Sequence, residues 1–210
     1  MIHRFDEDEF RSLAPLRLHG APPEFPGRSD DDLNPEVPVI PRQEEPRPAA
    51  VLVPLVPRDG SLNMLLTERQ PHMRQHAGQV AFPGGRIDGT DLGPIAAALR
   101  ETEEETGILP GFVEPLGFLD TYLTSTNYRV VPVVGIVRPG FTVIPQTHEV
   151  ADVFEVPLTF LMNPEHHERH SRDWQGRLRH YYAMPWQGRY IWGATAGMIR
   201  NLYSLMYERP

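Results

Sequence analysis

GRIDGTDLGPIAAALRETEEETGI, running from Gly85 to Ile108, is the stretch that decides the fold. Strong helix formers fill its second half. Thr90 or Asp91 is placed to cap the start of a helix, Pro94 stands in its first turn, and Gly107 followed by Pro110 stops it. Glu101, Glu104 and Glu105 stand at i, i+3 and i+4, so their carboxylates share one face in the last turn or two. Negative charge there opposes the helix dipole by roughly 0.3–1 kcal/mol per group, and like charges at i, i+4 cost a few tenths more. Stability alone would not choose this pattern. A Glu-rich helix is ordinarily a solvated acidic face, but this one follows Phe82-Pro83-Gly84-Gly85. Paired glycines let the backbone approach a ligand closely and leave amides free for phosphate oxygens. Hard oxygen donors beside a phosphate-sized opening point to Mg2+ or Mn2+ bridging carboxylates and a diphosphate.

Upstream, AAVLVPLV from Ala49 reads as a strand, residues 63–67 as its hairpin partner after Arg58-Asp59-Gly60, and residues 80–82 as a short third strand. Downstream, further strands are expected at residues 113–121, 130–137 and 150–156, and a helix at 194–207 carrying Met198, Leu202, Leu205 and Met206. Residues 1–48 hold nine prolines and acidic clusters such as Asp30-Asp31-Asp32. They read as an extended arm with turns, which either wraps the 49–210 domain or mediates a homodimer. The whole order fits an α/β fold, a mixed sheet with helices packed against it.

Composition bounds the function. A formal charge of −8 argues against sequence-independent nucleic-acid binding, which needs a positive surface. All 20 basic residues are arginine, whose planar fork grips a phosphate with two hydrogen bonds, although compositional bias would account for this equally well. Without cysteine there are no disulfides, thiolate metal sites or thiol nucleophile. No apolar run approaches the roughly 20 residues that span a bilayer, and the acidic start lacks a signal-peptide pattern, so the default expectation is cytoplasmic, without membrane partners.

The central stretch resembles the Nudix box, G-x(5)-E-x(7)-R-E-U-x-E-E-x-G-U with U aliphatic. Gly85, Arg100, Glu101, Glu104, Glu105, Gly107 and Ile108 fall on its fixed positions. Asp91 replaces the first Glu, eight residues rather than seven separate it from Arg100, and Thr102 takes an aliphatic position. The resemblance implies a Nudix fold, with a mixed sheet sandwiched between helices. It also implies that Glu101, Glu104 and Glu105 ligate the cations while Arg100 orients the acidic residues or pairs with Asp91, for which helix capping is the alternative. The catalytic set would be Arg100, Glu101, Glu104 and a general base, either a box glutamate or Glu149 from a later loop, with Glu155 behind it; each of the last two also reads as an ordinary surface carboxylate.

A second motif lies directly upstream. Leu65-Leu66-Thr67-Glu68-Arg69, Arg74, Gly78 and FPGG resemble the coenzyme A pyrophosphatase signature, LLT-x-R-[SA]-x(3)-R-x(3)-G-x(3)-FPGG, with Gln70 where Ser or Ala is usual. Asp91 and the eight-residue spacing look like the same branch, and so does Ile191-Trp192-Gly193-Ala194-Thr195-Ala196. The implied reaction splits coenzyme A or its thioesters into 3′,5′-ADP and (acyl-)4′-phosphopantetheine. Coenzyme A carries a diphosphate and a 3′-phosphate, so Arg69 and Arg74, with Gly84 and Gly85, are the expected substrate contacts. For Arg69 the competing reading is a surface ion pair.

Other constellations were set aside. His166, His167 and His170 lack an H-E-x-x-H arrangement and follow Asn163-Pro164, which favours a polar loop or helix face over a zinc site. Trp174, Tyr181, Tyr182, Trp186 and Trp192 could stack on adenine, but aromatics more often pack in cores. Rival functions are a Nudix hydrolase of ADP-ribose or NADH, a non-catalytic Nudix sensor, and an interaction protein using the proline-rich arm.

Overall fold

The computed structural model describes residues 3–38, 45–73, 77–174 and 176–208. Along the chain come α1 (Glu7–Arg17), β1 (Arg28–Ser29), β2 (Arg47–Arg58), β3 (Ser61–Arg69), β4 (Val80–Ala81), β5 (Gly84–Arg86), α2 (Pro94–Thr106), β6 (Val113–Phe118), β7 (Tyr122–Leu123) and β8 (Tyr128–Val137). After these follow β9 (Val150–Pro157), α3 (Leu158–Leu161), β10 (Glu168–Trp174), β11 (Arg177–Trp186), β12 (Arg189–Trp192) and α4 (Gly193–Met206).

The central strands β2 and β8 run parallel, and β2 turns through Asp59-Gly60 into antiparallel β3. Both turn residues have positive φ, 47° and 79°, the twist a two-residue hairpin requires. The path β1-β7-β8-β2-β3-β4 is extended by β5 on β2, β6 on β8 and β9 on β3, giving a mixed sheet. Alternation along β2 divides the core in two: Ala50, Leu52 and Val56 face one way, Ala49, Val53 and Leu55 the other. The first set packs with Ala97 and Ala98 of α2; the second with Phe10 and Ala14 of α1 and Leu202 and Met206 of α4. The sheet is therefore sandwiched between helices, as the box implies. No helix among the described residues is long and apolar enough to cross a membrane.

Two segments differ from expectation. The N-terminal segment is not simply extended: Asp6 caps α1 by accepting from the Glu9 amide at 2.8 Å, and the Glu9 carboxylate reaches back to the Arg4 and Phe5 amides at 2.8 Å. Phe10 is fully buried, and Arg11 donates two bonds to Glu114 of β6 at 2.8 and 3.0 Å. Between α3 and α4, where only an unassigned polar run is foreseen, β10, β11 and β12 form a separate antiparallel sheet. Arg189 clamps it to the main sheet by donating to Glu68 and Asp152, both at 2.6 Å. The histidines lie at its entry: His166 and His167 donate to the Phe160 and Leu161 carbonyls, and His170 sits in β10 beside Glu168.

Candidate functional site

Two glycines bring β5 against both the sheet and α2. At Gly84, with φ 155°, a Cβ would collide with the Ala50 carbonyl and the Val51 backbone; at Gly85 it would collide with the Glu101 carboxylate. The Glu101 side chain occupies the space that Gly85 leaves open. The Gly84 amide donates to Glu105 Oε2 at 3.3 Å. The helix starts differently from expectation: Gly93 is the N-cap, with no side-chain bond, and Pro94 stands in the first turn. Asp91 instead faces Arg100, which donates to its two oxygens at 3.1 and 3.0 Å. The other arm of that fork donates to Glu101 at 2.9 Å and to Glu104 at 3.2 Å, so Arg100 both pairs with Asp91 and orients two box glutamates. Gly107 ends the helix in the left-handed conformation, φ 75°.

Two of the sequence departures, Thr102 and Gln70, have local reasons. Thr102 is fully buried, and its hydroxyl donates to the Ala98 carbonyl at 2.6 Å, so a polar residue fills an aliphatic position without an unmet bond. Gln70 donates from its side chain to the Thr147 carbonyl at 2.9 Å, and its amide donates to the Glu149 carbonyl at 2.8 Å. Further down, the Ile144 and Gln146 amides donate to the Thr106 and Glu105 carbonyls at 2.7 and 3.0 Å. The 144–150 loop is thus tied to both β3 and the end of α2, and this holds Glu149, itself exposed, close enough for its charge to act on Glu105.

Electrostatics follow from burial. Glu105 is 5% exposed; desolvation pushes its carboxyl up to about 8, with Glu101 and Glu149 adding to the rise and Arg69 and the Gly84 amide opposing it. Desolvation also raises Glu101 despite Arg100. Asp91 is lowered by its bonds to Arg100 and the Asp88 amide. Arg69, at the end of β3, stands 3.8 Å from Glu105, and its Nε is buried without a partner among the described residues. Glu155 instead takes Arg58 at 2.7 Å and Asn63 at 3.0 Å, a structural network on the far part of β3. Arg74 lies outside the described residues.

Among the described residues, no three His, Asp or Glu side chains form a ready-made cation cage. Glu101 and Glu104 are held by Arg100 while Glu105 turns to Gly84 and Arg69. A cavity of about 760 Å³ is lined by Arg69 and Gly84 together with Tyr128, Arg172, Trp174 and Trp192. The wall built by β10–β12 was missed in the sequence; the unassigned aromatics and the 191–196 stretch were the signals for it.

Comparison with known proteins bears on this arrangement directly. The NUDIX domain model matches residues 46–177. An uncharacterized Nudix hydrolase, NudL, of Enterobacter sp. (strain 638) is 47% identical over 172 residues, covering 78% of this chain and 85% of the relative. The NudL of Escherichia coli (strain K12 / DH10B) is 46% identical over 166 residues, with the same coverage of both chains. The chain belongs to the Nudix family. Among solved structures, a C. elegans Ap4A hydrolase binary complex aligns at 22% identity and TM-score 0.46, over 53% of this chain and 80% of that one. The Nudix chain is accordingly a pyrophosphatase acting on nucleoside diphosphate derivatives, a class that generally uses divalent cations.

Proposed function

We propose that this Nudix hydrolase cleaves the diphosphate of coenzyme A or its thioesters with Mg2+ or Mn2+. The observation that carries the reading is the convergence of the upstream motif on the box: Arg69 and the Gly84 amide both meet Glu105 on the acidic face of α2. Three carboxylates from one helix face are the hard oxygen donors such cations take, and Glu101, Glu104 and Glu105 would hold them. When bound there, a cation would supply charge neutralisation at the diphosphate and Lewis acidity toward the attacking water.

The protein's own groups do the rest. Arg69 grips diphosphate oxygens, and Arg74, by the upstream motif, is a further substrate contact. Arg100 holds Glu101 and Glu104 in position and does not touch substrate. Glu149 takes the proton from water as its oxygen bonds to phosphorus in line. The phosphoanhydride bond breaks on the opposite side, giving 3′,5′-ADP and (acyl-)4′-phosphopantetheine without a covalent enzyme intermediate.

Turnover of coenzyme A with Mg2+, with chelator, and in Glu104→Gln tests this. The reading expects turnover only with cation, a loss of at least a hundredfold in the variant, and an unchanged melting profile, since Glu104 is exposed. Full activity in the variant would remove the cation assignment.

A further inference from the structure

Of the arginines that line this cavity, one has a setting unlike the others. Arg172 of β10 lies directly opposite Arg179 of β11, so the two guanidinium groups share one face of the small sheet, and both line the cavity. Like charges directly across a strand pair are destabilising. Arg179 is neutralised: it donates to Asp31 at 2.7 Å, to the Asp30 carbonyl at 3.1 Å, and to the Val37 carbonyl. Arg172 has no hydrogen bond or ion pair among the described residues. It lies over the rings of Trp174 and Trp192, 5.1 and 4.8 Å from their centroids. Stacking against two indoles restricts the guanidinium plane and leaves its N–H edge unused, which suits a fork for an anion. The same cavity is also lined by Arg69, whose Nε is buried without a partner among the described residues. One cavity thus offers two guanidinium groups with donors to spare.

We propose that Arg172, clamped by Trp174 and Trp192, binds a phosphomonoester of the substrate separate from the scissile diphosphate. This rests on the coenzyme A reading, in which the 3′-phosphate is that group, and it makes Arg172 the residue that separates coenzyme A from its 3′-dephospho form. A molecule bearing only a diphosphate leaves Arg172 unmet.

Two measurements on the full chain test it. In steady-state kinetics, Arg172→Gln raises KM for coenzyme A about tenfold, the scale of a lost charge-assisted hydrogen bond, with kcat and the dephospho-coenzyme A kinetics unchanged. Equal losses on both substrates, or none on either, overturn the subsite. In calorimetry, the wild type binds 3′,5′-ADP more tightly than 5′-AMP, and Arg172→Gln abolishes that preference. A wild type without the preference, or a variant that keeps it, overturns the subsite whatever the turnover. A wild type that shows the preference, loses it in the variant, yet hydrolyses no coenzyme A retains the subsite and discards the proposed reaction.

Discussion

Replacing Glu105 by Gln converts the most buried carboxylate of the acidic helix into a group that does not titrate. In the folded chain its carboxyl is pushed up to about 8, against an ordinary value of 4.5. Below about pH 4.5 both the folded and unfolded chains hold this proton, and burial carries no charge penalty. Between 4.5 and 8 the unfolded chain has released it while the folded chain keeps it, so stability falls with rising pH by about 1.4 kcal/mol per pH unit. Above 8 both forms are ionised and the slope ends, after a loss on the order of a few kcal/mol. Glu105→Gln removes that slope and keeps an oxygen able to accept from the Gly84 amide. Thermal melts of wild type and variant in chelator should therefore nearly coincide at pH 5, with the variant melting higher at pH 8.5 by roughly 10 °C, using the 2–4 °C per kcal/mol expected at this size. Taking the difference between the two proteins cancels every other titrating group. A difference that stays constant from pH 5 to 8.5 would refute the burial argument and place Glu105 in water.

The other predictions probe separate parts of the fold and site. Phe10→Ala empties a fully buried position of α1 and should cost about 3–5 kcal/mol, seen as a drop of roughly 10 °C in melting temperature; a shift under about 2 °C would detach α1 from the core. Gly85→Ala drives a methyl group into the Glu101 carboxylate, so turnover should fall at least about tenfold while folding survives, since a small displacement at a reacting centre costs up to about a hundredfold; wild-type turnover would contradict this packing. Glu149→Gln should lower kcat by about 100- to 10,000-fold, whereas Glu155→Gln, which loosens only the Arg58 and Asn63 network, should leave kcat unchanged. The reverse pattern would move the base to Glu155.

Much of this was readable from local chemistry. The box helix, the hairpin at Asp59-Gly60, and strands β3, β8 and β9 declare themselves through periodicity, turn residues and stop signals, all properties of neighbouring residues. Arg100 orienting Glu101 and Glu104 was implied by the resemblance to the box, and the i, i+4 spacing of Arg100 and Glu104 makes that pair spatial neighbours. Other features depend on contacts distant in sequence. The N-terminal segment was read through its nine prolines, while the local signal for α1 lay in the Asp6 and Glu9 cap and the apolar positions Phe10 and Ala14, and Pro15 is accommodated within the helix. Asp91 reads as a cap by position, and its pairing with Arg100, nine residues on, was legible only through the resemblance to the box. The sheet β10–β12 alternates weakly because most of its first strand is exposed, so its aromatics carried no period to read, and its place against the cavity is set by Arg189 meeting Glu68 and Asp152.

The central claim concerns the substrate, and one chromatographic measurement tests it most directly: the products and rates from coenzyme A, dephospho-coenzyme A, ADP-ribose and NADH under a common Mg2+ concentration. The expected result is release of 3′,5′-ADP and 4′-phosphopantetheine from coenzyme A, well ahead of ADP-ribose and NADH. Faster cleavage of ADP-ribose or NADH, with coenzyme A intact, would contradict the substrate while leaving the Nudix fold in place.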